Sequence, residues 1–153
     1  ERVCASGLLA RRAESAEYET LLRAPLDVDG RMVRYRFPKR KARQLAAGAP
    51  LVVALDGLGL DDLALRARLT ELPGVGPKTA SWVVRNARGS DAVAIVDIHI
   101  ARAGKRMGLF DSGWTPVRHY SEMEASFLAF ARAIEVRPSV LDHMMWDIMR
   151  RIG

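Results

Sequence analysis

Apolar residues recur three or four positions apart through most of this chain, and that spacing predicts an all-α fold. One or two helices should extend to about Arg23, since Pro25 interrupts the pattern shortly afterwards. A further helix should begin at Pro38 and stop near Gly48 and Pro50. The apolar run 51–55 that follows fits a short strand as well as a buried helix.

The pattern after residue 60 predicts five more helices. Asp61 and Asp97 are plausible N-caps for two of them, and Pro77 suits the first position of another. The helix after Asp97 should end near residue 107, and Ser121 with Glu124 has the spacing of a capping box. The last two helices should each bury one apolar stripe, formed by Met123, Phe127, Phe130 and Ile134 in the first and by Leu141, Met145, Ile148 and Ile152 in the second.

Length and composition fit one folded domain over residues 1–153. Apolar residues make up 49% of the chain, and no apolar run approaches the roughly 20 residues of a membrane-spanning helix. A single cysteine, Cys4, excludes an internal disulfide and a four-cysteine iron–sulfur cluster, and it fits a reducing cytoplasm. Because the first residue is Glu1 rather than methionine, a native N-terminal stretch could be missing.

The charge pattern favours a polyanionic partner. Lysine and arginine total 24 against 18 acidic residues, and arginine, whose planar fork suits phosphate, dominates. The densest cluster holds seven cations between Arg31 and Arg43. Within it Val33, Tyr35 and Phe37 alternate with arginines, so an extended backbone would place the two types on opposite faces. A solvated basic face is the alternative to nucleic-acid binding.

The stretch from Leu72 to Gly76 predicts a tight turn between two helices. Its glycines leave backbone N–H groups uncovered, and Pro77 would begin the second helix. Unpaired N–H groups at the positive end of a helix dipole suit a phosphate. We therefore expect Gly74, Val75 and Gly76 to contact a DNA backbone, although such a turn also joins helices in proteins that bind no DNA.

Two segments carry a family resemblance. The string from Leu72 to Ala80, and Ile95 to His99 after it, resemble the helix-hairpin-helix (HhH-GPD) DNA glycosylase superfamily, most closely its compact archaeal-type 8-oxoguanine DNA glycosylase/AP lyases. The resemblance covers residues 33–151 and is strongest over 72–102. It implies a compact helical glycosylase fold acting in base excision repair, with the helix-hairpin-helix at about 61–87 and an aspartate-bearing loop and helix at about 90–107.

The resemblance assigns chemistry to two residues. Lys78 occupies the position of the nucleophile in bifunctional members, which attacks C1′ of the flipped nucleotide and forms a Schiff base. Asp97 occupies the position of the superfamily's essential aspartate, which stabilises positive charge developing at C1′. The structural alternatives are a solvated lysine in a first helical turn and an ordinary N-cap aspartate; capping leaves one carboxylate oxygen available, so both roles of Asp97 are compatible.

The resemblance also suggests a base pocket. Phe37 and Trp146 would cover the two faces of the flipped base, although Trp146 lies in an apolar helix and could equally belong to the core. Trp82 is one turn after Lys78 and could line the same pocket. His99 is expected to be a packed residue without a catalytic role.

Further contacts are implied around the hairpin. The carbonyl groups of Thr70, Leu72 and Val75 match those that hold a structural potassium or sodium ion in related enzymes, and no other cofactor is expected. Arg85 and Arg88 could contact DNA phosphates, or could simply be solvated arginines near a helix end.

Three functions follow from this sequence. The first is a bifunctional glycosylase and lyase that excises 8-oxoguanine from duplex DNA and cuts the strand by β-elimination. The second is the same enzyme class acting on another modified base, and the third is a non-catalytic hairpin module that only binds DNA. Lys78 together with Asp97 favours an enzyme. The expected partner is damaged double-stranded DNA, bound by a monomer in the cytoplasm away from membranes.

Overall fold

The helices predicted from the periodicity form an all-α fold, and this confirms the expected fold class. The computed structural model describes residues 2–55 and 58–152. Two compact units divide the chain, the first formed by residues 1–59 with 71–74 and the second by residues 60–70 with 75–153. The single domain expected over residues 1–153 stays a prediction.

Three helices and a small hairpin form the part of the first unit that the structure describes. Its elements are α1 (Arg2–Ala5), α2 (Ser15–Arg23), β1 (Leu26–Val28), β2 (Arg31–Val33) and α3 (Pro38–Leu55). The two strands pair antiparallel around Asp29 and Gly30, which both have positive φ, as a two-residue hairpin turn requires. Tyr18 of α2 is fully buried beside Ala42 of α3, and its hydroxyl donates to the carbonyl of Leu8 at 2.9 Å.

Helix α3 continues where the sequence predicted a stop. It passes through Gly48 and Pro50 and includes the run 51–55, so both the predicted end and the strand alternative are wrong. Gly48 and Ala49 are buried, and this packing holds the helix together where proline removes one backbone hydrogen bond. The apolar side chains of Leu51, Val52 and Val53 remain exposed rather than buried.

The described residues of the second unit form five helices, as the periodicity predicted. They are α4 (Asp62–Thr70), α5 (Pro77–Arg88), α6 (Ile98–Arg106), α7 (Tyr120–Ala133) and α8 (Pro138–Ile152). Asp61 accepts a hydrogen bond from the N–H of Ala64 at 2.8 Å and Asp97 caps α6, so both predicted caps are confirmed. The core gathers apolar residues of α6, α7 and α8, among them Ile100, Met123, Phe127, Leu141 and Met145.

Three local predictions in the last helices are wrong. Ile134, expected in the buried stripe of α7, is exposed, and α7 ends before it at Ala133. Ile148 and Ile152 are exposed, and Met149 faces the core instead, so the buried stripe of α8 is rotated from the expected one. Glu124 does not close a capping box with Ser121, because α7 begins earlier, at Tyr120, and the Glu124 side chain is buried in the protein. No helix of the described residues is long and apolar enough to cross a membrane.

Two helical glycines allow a paired test of the packing. A Cβ on Gly104 would lie 2.3 Å from the buried ring of Phe110, whereas a Cβ on Gly48 would meet only Pro73 at 4.0 Å. We expect Gly104→Ala to lower the free energy of unfolding by about 1–3 kcal/mol through overpacking. Gly48→Ala should raise it by up to about 1 kcal/mol, since alanine is the better helix former. Thermal denaturation of both variants checks this, and equal shifts would contradict the packing described for α6.

Candidate functional site

The first turn of α5 exposes a lysine. Gly76 is the N-cap of this helix with extended backbone angles, and Pro77 is its first residue, as predicted. Lys78 comes next and is exposed, and its amine makes no hydrogen bond or ion pair with any described residue. Lys78 thus belongs to the first helical turn, whose backbone N–H groups form the positive end of the helix.

The segment between α5 and α6 is held by side chains rather than by a neighbouring strand. The Tyr120 hydroxyl donates to the carbonyl of Ala94 at 2.7 Å and accepts from the N–H of Val96 at 3.3 Å. Glu124 accepts from the N–H of Ala94 at 2.9 Å, and its second oxygen pairs with Arg66 of α4. Because this backbone lies in the protein interior, each of these bonds satisfies a group that water cannot reach.

The beginning of this segment is attached to α8. One Asp91 oxygen accepts from the N–H of Ser139 at 2.8 Å, and the other accepts from Arg137 at 2.7 Å. Burial alone would raise the pKa of Asp91, but these hydrogen bonds outweigh burial and lower it. The segment and the first turn of α8 are therefore joined through an ionised carboxylate.

The end of the segment positions Asp97. Its Oδ1 accepts from the N–H groups of His99 at 2.8 Å and Ile100 at 2.9 Å, which fixes the carboxylate at the N-terminus of α6. Both hydrogen bonds go to the same oxygen, so Oδ2 accepts none from the described residues. The structure thus shows the cap that was expected and a carboxylate oxygen left available beside it.

One pocket in the second unit brings several of these residues together. Its volume is about 410 Å³, within the range of small-molecule sites. Five site residues named from the sequence line it: Lys78, Trp82, Arg85, Asp97 and Trp146. The remaining lining residues are Asn86, Ile95, Ser139, Asp142 and His143.

An ion pair forms part of the pocket wall. Arg85 of α5 is buried and donates to Asp142 of α8 and to the carbonyl of Val93. Burial raises the pKa of Asp142 to about 6; the positive charge of Arg85 opposes this rise, and the nearby negative charge of Asp97 adds to it. Asp142 therefore changes protonation close to physiological pH.

The two tryptophans of the pocket differ in exposure. Trp82 is 56% exposed, because it lies one turn after Lys78 on the solvent-exposed side of α5. Trp146 is half-buried, packs against the core and also lines the pocket. Its contact with a flipped base stays a prediction. His99 packs edge-on against Trp146 with ring centroids 6.2 Å apart, in agreement with its expected packing role.

The arginines expected at the DNA backbone are engaged within the protein. Arg85 is only 8% exposed and its terminal nitrogens are occupied, so the expectation of a surface phosphate contact does not match its position. Arg88 is exposed but donates to the carbonyl of Leu60 at 2.6 Å and to Asp62 at 3.1 Å. Both arginines brace α5 against neighbouring segments.

Other predicted site residues lie partly in the first unit. Phe37 is exposed there, with arginine side chains against its ring.

The carbonyl groups expected to hold a potassium or sodium ion belong to both units, Leu72 to the first and Thr70 and Val75 to the second. That ion site therefore stays a prediction. Gly74 has φ +79°, a conformation that favours glycine. The described residues include no cluster of three or more metal-ligating side chains.

Sequence reasoning missed Asp142. Its signal was the four-residue spacing from Trp146, which places both side chains on one face of α8. Lys78, Trp82 and Arg85 are four and three residues apart along α5, and this spacing likewise places their side chains on one face of the helix.

Comparison with known proteins identifies relatives of this chain. The family model described as 8-oxoguanine DNA glycosylase matches residues 17–136. An 8-oxoguanine DNA glycosylase/AP lyase of Metallosphaera sedula is 34% identical over 116 residues, which cover 73% of this chain and 57% of the relative. An endonuclease III of Bacillus subtilis is 52% identical over 44 residues, which cover 29% of this chain and 20% of the relative. No solved structure matches the chain.

The extent of these matches decides what they establish. The chain spans little more than half the length of the archaeal relative and a fifth of the bacterial one. The family model, in contrast, covers more than half of this chain and includes α5, the segment after it and α6. The chain therefore belongs to the 8-oxoguanine DNA glycosylase family of helix-hairpin-helix proteins.

Proposed function

We propose that this protein is a bifunctional DNA glycosylase and AP lyase that excises 8-oxoguanine from double-stranded DNA in base excision repair. The observation that carries the proposal is that Lys78 and Asp97, from different elements, line one pocket with two tryptophans. The name of the archaeal relative supports the same activity and the same base.

The lysine supplies the nucleophile for both steps. The neutral amine of Lys78 forms a bond to C1′ while the bond from C1′ to the base nitrogen breaks, and the base leaves with that electron pair and takes up a proton. Opening of the sugar ring gives a Schiff base between Nζ and C1′. Loss of a proton from C2′ then expels the 3′ phosphate by β-elimination, which cuts the strand.

Asp97 stabilises the first of these steps. Positive charge develops at C1′ as the base departs, and a fixed carboxylate beside it lowers the energy of that transition state. The cap to His99 and Ile100 holds the carboxylate in place without using Oδ2. Preorganisation through Oδ1 therefore leaves Oδ2 for the reaction.

The pocket walls suit a flipped purine. Trp82 and Trp146 offer flat apolar surfaces for a base taken out of the duplex. The Oδ1 atom of Asp142 accepts no hydrogen bond from the described residues, and an ionised carboxylate complements the N–H donors on the edge of a guanine.

A potassium or sodium ion held by Thr70, Leu72 and Val75 would support binding of the DNA backbone and would take no part in the chemistry.

Borohydride trapping tests the proposal directly. The substrates are three duplexes: one with 8-oxoguanine opposite cytosine, one with an abasic site and one undamaged. A covalent adduct on the 8-oxoguanine strand establishes base and nucleophile together. An adduct on the abasic strand alone retains the lyase and points to another modified base, and no adduct on any strand favours a module that only binds DNA.

Replacing the lysine should separate cutting from binding. In Lys78→Gln we expect no borohydride adduct and no strand cleavage, because the amide is not a nucleophile, while binding to damaged duplex persists. Lys105→Gln is the matched control, since it removes the same charge from the second unit at a residue outside the pocket. Cleavage by Lys78→Gln at the wild-type rate would exclude this nucleophile.

Replacing the aspartate should separate catalysis from capping. In Asp97→Asn the amide oxygen still caps α6, so thermal stability should stay near wild type. The single-turnover excision rate should fall by about 100-fold or more, because the negative charge is absent. Asp61→Asn changes another capping aspartate, at α4 and away from the pocket, and should leave the rate unchanged. Equal rates in the two variants would reduce Asp97 to a structural cap.

The raised pKa of Asp142 predicts a pH dependence for base excision. Below about pH 6 the carboxyl is protonated and above it is charged, so excision of 8-oxoguanine should increase as the pH rises through about 6. Cleavage at a preformed abasic site needs no base contact and should lack this inflection. Single-turnover rates between about pH 5 and 8 for wild type and Asp142→Asn measure it. An inflection retained in Asp142→Asn would assign it to another group.

A further inference from the structure

A basic surface of the first unit has no acidic partner among the residues that the structure describes. Its cations occupy strand β2, the segment 34–37 after it and the first turns of α3. None of them forms an ion pair with a described carboxylate: Arg31, Arg34, Arg36, Lys39, Arg40, Lys41 and Arg43. Other arginines of the same unit are paired, as Arg11 is with Glu17 and Arg23 with Glu19. The unpaired charge of these seven residues is thus concentrated on one stretch of the chain.

Two of these arginines are held against one aromatic ring. The guanidinium carbon of Arg36 lies 4.9 Å from the centroid of the Phe37 ring, and that of Arg40 lies 4.7 Å from it. Phe37 is 45% exposed, so the group is at the surface. The ring attracts each cation, but it also keeps two like charges close together without a carboxylate to offset their repulsion.

The beginning of α3 adds to this positive potential. Helices normally carry acidic residues in the first turn, where they offset the positive end of the dipole. The first turn of α3 contains none and instead carries Lys39 and Arg40. An external anion beside Arg36 and Arg40 would therefore reduce an unfavourable interaction that the protein itself leaves uncompensated.

We infer that Arg36 and Arg40, held by the ring of Phe37, form a clamp for backbone phosphates of duplex DNA. Guanidinium groups suit phosphate oxygens, and contacts to phosphate give affinity without sequence or lesion preference. Phe37 is then a positioning residue for the two arginines rather than a wall of the base pocket. The inference rests on the DNA partner proposed above, but not on the chemistry of Lys78.

The test measures binding of an undamaged duplex by fluorescence anisotropy between about 50 and 200 mM salt. The Arg36→Gln, Arg40→Gln double variant should bind at least about tenfold more weakly at 0.1 M salt, and the slope of log K against log salt should become shallower by about 0.9 for each phosphate that the variant no longer neutralises. The charge-matched control is Arg11→Gln with Arg23→Gln, which removes two paired arginines of the same unit. Equal affinities and slopes in the two double variants would overturn the clamp.

Variants of the ring distinguish positioning from base contact. Phe37→Leu should weaken binding to undamaged and 8-oxoguanine duplexes by the same factor, and Phe37→Tyr, which keeps the ring, should restore wild-type affinity. Loss of preference for the 8-oxoguanine duplex with unchanged affinity for undamaged DNA would assign Phe37 to the base pocket and overturn the inference. Wild-type protein that binds no undamaged duplex would overturn it too, whereas borohydride trapping reports on the pocket chemistry separately.

Discussion

The site depends on how the backbone N–H and C=O groups between α5 and α6 find hydrogen-bond partners in the absence of a neighbouring strand. Residues 90–97 cross the interior of the second unit, and an unpaired backbone group there costs about 1–3 kcal/mol. The bonds come from Tyr120, Glu124 and Arg85, which belong to two different helices. These side chains set the path of the segment, and the path sets the position of Asp97 relative to α5.

Charge is used differently in the two units. In the second unit, buried or half-buried arginines pair with carboxylates and fix helices and the Asp97 segment in place, as Arg66 does with Glu124 and Arg85 with Asp142. Removing one partner of such a pair leaves the charge of the other unpaired in the interior, so these ion pairs contribute to the stability of the fold. In the first unit, the cations between residues 31 and 43 lie at the surface without such partners and are available to a polyanion.

Local rules in the sequence predicted much of this arrangement. Asp61, Pro77 and Asp97 mark helix starts through backbone chemistry that needs no knowledge of the fold, and all three were placed correctly. The joint role of Lys78 and Asp97 in one site was predicted from a family resemblance rather than from their spacing in the sequence. The predictions that were wrong concern features set by tertiary contacts. Packing allows α3 to continue through Pro50, and Glu124 accepts a hydrogen bond from the distant Ala94 instead of capping its own helix. Arg85 looked like a surface cation because its partner, Asp142, is 57 residues away.

The anchoring of residues 90–97 also constrains how this segment can vary. Successive groups along it meet fixed partners, Asp91 at the start of α8, Val93 at Arg85, and Ala94 at Tyr120 and Glu124. Insertion or deletion of one residue would shift every group past its partner at once, whereas replacement of an exposed side chain such as that of Ala92 would disturb none of them. The length of this segment is therefore far less free to change than its composition.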